Sequence, residues 1–583
     1  MDLLSDLNES QRQAVTHIDG PLLVLAGAGS GKTRVITRRV AHLIRQGVAP
    51  WQVLAITFTN KAAREMAERI AALDAPPGAT ACTFHSLCAR LLREFAGECD
   101  LSPRYSIYDD ADQKRLVKRV MTAAGLDAAT INPAAALSAI SHAKMRLQRA
   151  DAYADQAATF GQRQLAKVYA AYERALHAAN ALDFDDLLMR MAFLLRDRPD
   201  VRQLLSQRYR YVLIDEYQDT NHAQYIIAHG IALDHENICA TGDPDQSIYS
   251  WRGADVANIL EFERDYTNAT VIRLETNYRS TASILAAADR LIACNRRRKE
   301  KKLIPSRSLG EAVTVVATLD EHAEAAEIVQ RIRAAVEKGR RHDDIALFYR
   351  LNSLSRVMED ALRKSATPYR IARGVAFYGR KEIKDVLAYL KLLHNPLDDV
   401  ACERIINVPA RGIGATTLRR LRAWGASSQL SLLEAVGRID EVPSVGAAAR
   451  KRVAAFGELI GRVGECIDAP VRQILEAVLD ATGMERALRT AGGEDQMELA
   501  NVQELVTSAD EFDRENPDAG LSEYLNQVAL VSDIDRFEGS TGAVTLMTLH
   551  AAKGLEFPVV MMIGCEDAIL PFQRMDRTGS DRE

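Results

Sequence analysis

Short apolar runs alternate with amphipathic stretches along much of the chain. PLLVLAG (21–27) is a continuous apolar run of strand length, and TRVITRRVAHLIRQ (33–46) sets Val35, Ile36, Val40, Leu43 and Ile44 near one helical face with arginines on the other. VLAITFT (53–59), YVLIDE (211–216), NICATGD (237–243) and TVIRLET (270–276) repeat the strand pattern. EAAEIVQRIRAAVEK (324–338) and DIALFYR (344–350) resume the alternation, and MTLH (547–550) and PVVMMIG (558–564) return to strand character. Strands that are apolar on both faces predict parallel sheets covered by helices on both sides. Residues of about 86–209 and 373–543 read as mainly helical, with few strand signals. The pattern therefore predicts an α/β protein with two units, each interrupted by a helical insertion.

Composition narrows the class. At roughly 150 residues per domain, 583 residues suggest about four domains. Apolar residues make up 47% and charged residues 26%, which excludes a mainly disordered or collagen-like chain. Lys+Arg number 74 and Asp+Glu 79, for a net charge of −5, so any nucleic-acid surface must be local. The eight cysteines include no C-x-x-C pair, and buried free thiols in a reducing compartment are expected. The acidic start, MDLLSDLNES, lacks an apolar core for a signal peptide. No run approaches the roughly 20 apolar residues that span a bilayer, so a soluble, cytoplasmic protein without a membrane partner is expected. RRRKEKK (296–302), the densest basic run, reads as a solvated surface face.

Chemistry concentrates at the ends of the predicted strands. AGAGSGKT (26–33) follows a strand and opens a helix, the setting of a phosphate-binding P-loop. Its backbone N–H groups and the helix N-terminus attract phosphate oxygens. Ala26, Gly27, Ala28, Gly29, Ser30 and Gly31 form the loop, with alanine where the general pattern has its first glycine. Lys32 is expected to reach the β- and γ-phosphates, and Thr33 to place its hydroxyl on Mg²⁺. VLIDEYQD (212–219) supplies Asp215 as a second metal ligand and Glu216 to orient and deprotonate the attacking water. TGDPDQSIYSWRGAD (241–255) offers Gln246 as a γ-phosphate sensor, with Tyr249, Trp251 and Arg252 as a flat, charged surface.

In this order the motifs resemble the UvrD/Rep/PcrA group of superfamily 1 DNA helicases, over essentially the whole chain. LNESQRQAV (7–15) is similar to the Q motif, AGAGSGKT to motif I, TFTNKAAREM (57–66) to Ia and TFHSLCARLL (83–92) to Ib. DFDDLL (183–188) resembles a further block; DEYQD is similar to motif II, GDPDQSIYSWRGAD to III, LETNYRS (274–280) to IV and TLHAAKGLEF (548–557) to V. PYRIARGVAFYGRKEIKDVLAYLKLL (368–393) and PARGIG (409–414) resemble the start of the second insertion. The resemblance implies two RecA-like P-loop motor domains with parallel sheets, each carrying a mainly helical inserted subdomain. Its expected boundaries are 1–85 and 210–275 for motor 1A around insertion 1B (86–209), and 276–372 and 546–583 for motor 2A around insertion 2B (373–545).

The resemblance also implies an ATP- and Mg²⁺-dependent 3′→5′ helicase and single-stranded DNA translocase of repair, replication or recombination. Gln11 is expected on the adenine edge, Arg34 and Tyr278 on its faces, Arg279 on the γ-phosphate and Glu556 on the ribose. Phe58, Tyr249 and Trp251 are the expected base-stacking residues; Asn60, His85, Arg252 and Lys553 are expected on bases or backbone. Gly412 and Gly414 are expected to present backbone N–H groups to duplex phosphates, a plain helix–helix turn being the alternative. Expected partners are single-stranded DNA and single/double-strand junctions, with the protein a monomer or a DNA-induced dimer. Repair and replication partners are not identifiable from sequence.

The sequence ends at GCEDAILPFQRMDRTGSDRE (564–583), before the point where the family carries motif VI. The expectation is a second motor incomplete at its C-terminus and a chain impaired in hydrolysis and unwinding. Rival readings are the motor of a recombination helicase–nuclease subunit, a non-catalytic ATP-regulated DNA-binding protein and a P-loop kinase. The last leaves the aromatic loop and the second α/β unit unexplained.

Overall fold

A computed structural model describes residues 2–126, 131–295, 298–372, 377–491, 495–530 and 542–571. They form two compact units. One comprises Met1–Asn277, Arg297–Lys302 and Phe377–Val531; the other comprises Tyr278–Arg296, Leu303–Ala376 and Ser532–Glu583.

The first unit is built on a six-stranded sheet of Leu22–Ala26 (β1), Val53–Thr57 (β2), Thr80–Thr83 (β3), Tyr211–Ile214 (β4), Ile238–Gly242 (β5) and Thr270–Leu274 (β6). The order is β3-β2-β4-β5-β1-β6, with every neighbouring pair parallel. β1, β2 and β5 are buried along their whole length, as continuous apolar runs require. Alternate residues of β1 feed different cores. Leu22, Val24 and Ala26 pack with Val35, Ile36 and Val40 of the helix Lys32–Arg45. Leu23 and Leu25 pack with apolar residues of the helices Phe84–Glu94, Phe184–Asp197 and His222–Ala232. The first helical region has its own core around Tyr108, Tyr169 and Tyr172, and the helices between Lys381 and Leu530 have another.

The second unit contains a four-stranded parallel sheet of Ile345–Tyr349 (β7), Tyr369–Ile371 (β8), Val544–Thr548 (β9) and Val559–Met562 (β10), in the order β8-β9-β7-β10. Ile345, Leu347, Val544 and Leu546 pack against Ile328 and Ile332 of the helix Glu321–Glu337 and Met358 and Leu362 of the helix Ser355–Lys364.

Three features depart from the sequence reading. β3 and β8 lie at sheet edges and are only partly buried, so their short, mixed sequences carry no strong apolar run. The region read as helical contains a two-stranded parallel pair, Ser106–Tyr108 with Ala181–Asp183. The cysteines are not uniformly buried: Cys88, Cys239 and Cys402 are, whereas Cys294, Cys466 and Cys565 are exposed. No helix among the described residues is long and apolar enough to cross a membrane.

Candidate functional site

The loop after β1 leaves the sheet and turns directly into the helix Lys32–Arg45. Gly29 and Gly31 take φ of +66° and +90°, a region that glycine enters without steric cost. Ser30 is buried and closes the turn, its Oγ donating to Gly27 O at 2.8 Å. Gly31 caps the helix, and the open N–H groups of the first turn make an anion site.

Two residues outside the loop clamp it. Gln11, in the third position of the helix Glu9–Thr16, receives a hydrogen bond from Asn8 N at 3.1 Å and donates Nε2 to Ser30 O at 3.0 Å. Both ends of the amide expected on adenine are thus engaged with protein. A Cβ on Gly31 would lie 2.9 Å from Gln11 Nε2, so glycine also makes room for this clamp. From the other side Asn277 donates Nδ2 to Ala28 O at 2.6 Å. Asn277 lies in LETNYRS but was not singled out in the sequence, because the flanking Tyr278 and Arg279 drew the assignment.

Across the loop, Asp215 and Glu216 follow directly on β4. Lys32 Nζ lies 3.2 Å from Glu216 Oε1, and Asp215 Oδ1 accepts from Glu216 N at 3.0 Å. Glu216 has φ +52°, an uncommon conformation for a non-glycine residue, which turns the chain sharply out of the strand. Its Oε2 accepts from Gln218 Nε2 at 2.6 Å, and Gln218 Oε1 accepts from Asp243 N at 2.9 Å. Asp243 Oδ2 in turn accepts from Gln246 Nε2 at 2.5 Å. A chain of hydrogen bonds therefore joins the expected general base to the expected phosphate sensor. Gln218 and Asp243, its intermediates, were missed in the sequence: only the folded chain brings strand ends β4 and β5 together. Gly242 is required at their junction, since a Cβ there would lie 2.4 Å from Gln218 Oε1.

Arg34 is exposed and pairs with Asp6, as does Arg38. In the second unit Arg279 Nε is 2.5 Å from Glu556 Oε2, which pairs two residues assigned to different parts of the nucleotide. Arg307 donates to Tyr278 O at 3.0 Å. Lys553 N donates to His550 O at 3.4 Å, within a turn after β9.

The candidate DNA contacts of the first unit cluster beyond β2, β3 and β5. Phe58 and Tyr249 are stacked with centroids 4.8 Å apart and planes 20° apart. Tyr249 is 5% exposed, so the expected surface role for both loop aromatics is corrected: Trp251, 48% exposed, presents its face, while Tyr249 covers Phe58. Arg252 lies 4.8 Å from the Trp251 ring centre. Gly253 follows with φ +80°, and a Cβ there would lie 2.7 Å from Met145 Sδ. Asn60 receives hydrogen bonds from Thr83 Oγ1 and Ser86 Oγ and donates Nδ2 to Leu530 O at 2.6 Å. His85 packs edge-on to Phe184, at 5.9 Å; burial first and Arg252 second push its imidazole down to about 4, so it is neutral at pH 7.

The DFDD block has a structural role beneath this face. Lys144, fully buried, is 2.8 Å from Asp183 and Asp186 and 2.7 Å from Glu173. Burial opposes its charge, but Asp183, Asp186 and Glu173 hold it protonated. Met145, the next residue, is the one that meets Gly253.

Gly412 has φ +71°, and its carbonyl accepts from Arg452. Arg411 N and Ile413 N both donate to Asn407 Oδ1, at 2.8 and 3.1 Å, and Gly414 caps the helix Ala415–Ser428.

A P-loop after the first strand of a parallel sheet, an acidic pair on another strand end and a stacked aromatic loop define a nucleotide-dependent, nucleic-acid-acting α/β protein. Residues 7–267 match the UvrD/REP helicase N-terminal domain, and residues 272–440 and 455–583 match the UvrD-like helicase C-terminal domain. The chain is 42% identical over 585 residues to the ATP-dependent DNA helicase PcrA of Bacillus subtilis (strain 168), covering 98% of this chain and 79% of that protein. It is 42% identical to the protein of the same name from Leuconostoc citreum, with 98% and 78% covered. The Staphylococcus aureus (strain Mu50 / ATCC 700699) PcrA is 39% identical, with 100% and 80% covered. The chain belongs to the UvrD/Rep helicase family.

Proposed function

We propose that this protein is an ATP-driven motor that moves 3′→5′ along single-stranded DNA and separates strands at junctions, in DNA repair or replication. The observation that carries the reading is the hydrogen-bonded chain Glu216–Gln218–Asp243–Gln246, which ties a water-activating carboxylate to the loop bearing Trp251 and Arg252. Hydrolysis and DNA grip then share one piece of backbone. The PcrA names of the relatives support ATP and DNA as the ligands.

Phosphate is expected to displace Glu216 from Lys32, freeing the ammonium for the β/γ-oxygens and the carboxylate for water. Glu216 accepts a proton as water oxygen attacks the γ-phosphorus and the bond to the β–γ bridging oxygen breaks. Gln246, held by Asp243, registers the γ-phosphate. Thr33 Oγ1 and Asp215 are hard oxygen donors of the kind that suits Mg²⁺, which would neutralise phosphate charge when bound. Arg279 is assigned to transition-state charge on the γ-phosphate, and Tyr278, Arg34, Gln11 and Glu556 to the nucleoside, on the strength of their motifs. Trp251 and Phe58 offer sequence-independent stacking, and Asn60, His85, Arg252 and Lys553 polar or charged contacts. Gly412 and Gly414 are assigned to duplex phosphates.

The test is steady-state ATPase with and without single-stranded DNA, beside Lys32→Ala, and strand separation on 3′- and 5′-tailed duplexes. DNA-stimulated hydrolysis abolished by Lys32→Ala, with unwinding from the 3′ tail alone, is expected of the motor; weak hydrolysis that DNA still stimulates would instead bear out the impairment expected from the sequence. Hydrolysis indifferent to DNA would overturn the motor reading, and unwinding from the 5′ tail would overturn the polarity.

A further inference from the structure

In the described part of the basic run RRRKEKK, Arg298, Lys299 and Lys301 are not the solvated face its composition suggested. Lys301 is in contact with Asp243 Oδ1 and lies 2.9 Å from Asp245 Oδ2, with its side chain 7% exposed. Arg298 reaches Asp245 at 3.3 Å, and Lys299 reaches Glu263 at 2.5 Å. The described part of this run packs within the first unit, while the chain on either side of it belongs to the second. Lys301 thus closes on the same aspartate that holds Gln246.

The charges around it are few and close. Asp243 and Asp245 are almost fully buried, at 3% and 8%. Two buried carboxylates in one turn repel each other and each carries a desolvation cost unless a cation lies between them. Burial and then the Lys32 ammonium act to lower the Lys301 pKa, to about 7. The Asp243 and Asp245 carboxylates in contact with the ammonium act the other way and favour its charged form.

We propose that Lys301 is a positioning residue for ATP hydrolysis: its ammonium fixes Asp243, and through Asp243 the Gln246 amide, in the orientation that registers the γ-phosphate. This deepens the proposed function and rests on it. Because nucleotide affinity comes chiefly from the P-loop, loss of Lys301 acts on turnover rather than binding.

The test uses the full chain. Lys301→Met is expected to lower the DNA-stimulated kcat about tenfold while the dissociation constant for a fluorescent ATP analogue changes less than about threefold, the split expected of an interaction made in the transition state. Lys301→Arg, which keeps the cation, is expected to recover most of the rate. Asp245→Asn, which removes one of the lysine's two carboxylates, gives the same split at smaller amplitude and serves if Lys301→Met does not fold. An unchanged kcat in folded Lys301→Met overturns the proposal, as does a kcat loss matched by lost nucleotide affinity or an arginine variant no better than methionine. A wild-type protein without DNA-stimulated ATPase overturns the functional reading itself, and is told apart by appearing before any substitution.

Discussion

Single side chains divide the site into what holds and what is held. Trp251 is the exposed aromatic of the loop, with Arg252 against its ring and Tyr249 buried on Phe58. Trp251→Ala is expected to weaken single-stranded DNA binding by about 1–3 kcal/mol, the usual worth of one base–aromatic stack, and to leave ATP affinity unchanged. Fluorescence anisotropy with a labelled oligonucleotide reads the first, and nucleotide titration the second. Gly242 is a sharper case. Its missing side chain leaves room for Gln218 Oε1, Ile259 Cδ1 and Tyr217 N, which a Cβ would approach to 2.4, 2.9 and 3.2 Å. Gly242→Ala is expected to displace Gln218 from Glu216 and reduce kcat by about tenfold or more, with the KM for ATP little changed. A variant with wild-type turnover would mean that the Gln218 link is not needed for hydrolysis.

Among the elements, the helices under the aromatic loop carry charge that the loop itself does not show. Pro133–Met145 brings Lys144 to the acidic N-terminus of Phe184–Asp197 and Met145 to Gly253. Asp185 sits in this cluster, and burial first, then Asp183, push its pKa to about 7. In the unfolded chain an aspartate loses its proton near 3.9, so between about pH 4 and 7 the folded state holds the extra proton. That contribution to stability is present at low pH and is lost as pH rises through about 7. Asp185→Asn, which mimics the protonated form, is expected to flatten the fall in stability from pH 5 to 8, read by urea denaturation at several pH values. A slope equal to wild type would remove Asp185 as its source. The same cluster explains why DFDDLL stood out in the sequence as an acidic block with no role attached. Its acids face a lysine about 40 residues earlier, at a distance no periodicity reveals.

Over the whole molecule, net charge and local charge part company. At −5 overall, binding to DNA depends on patches such as Arg252 beside Trp251. Log affinity for single-stranded DNA is expected to fall linearly with log salt, with a slope of about −0.7 per phosphate neutralised; measured between about 50 and 200 mM, a slope near zero would leave stacking as the sole contact. The two parallel sheets were legible because β1, β2, β4, β5 and β7 are continuous apolar runs, and the P-loop because its spacing is set by phosphate geometry. β3 and β8 were not, since edge strands bury only part of their surface. Lys301 was read as solvated for a related reason. Composition sees seven residues of which six are basic, but not the two aspartates that the ends of a loop 58 and 56 positions earlier turn toward it.

β9 is the shared neighbour of β7 and β8, yet it lies far downstream of both. During synthesis β8 leaves the ribosome first, and roughly 170 residues separate it from β9; at about 5–20 residues per second that is an interval of roughly 10–35 s. Most residues made in between, Phe377–Val531, belong to the other unit. Throughout that wait the facing edges of β7 and β8 stand open, with Ile345, Leu347 and Tyr349 not yet covered by Val544 and Leu546. Nascent chains halted in this window are therefore the form most in need of a holding chaperone, and the one in which a stalled ribosome would yield aggregate rather than a folded half.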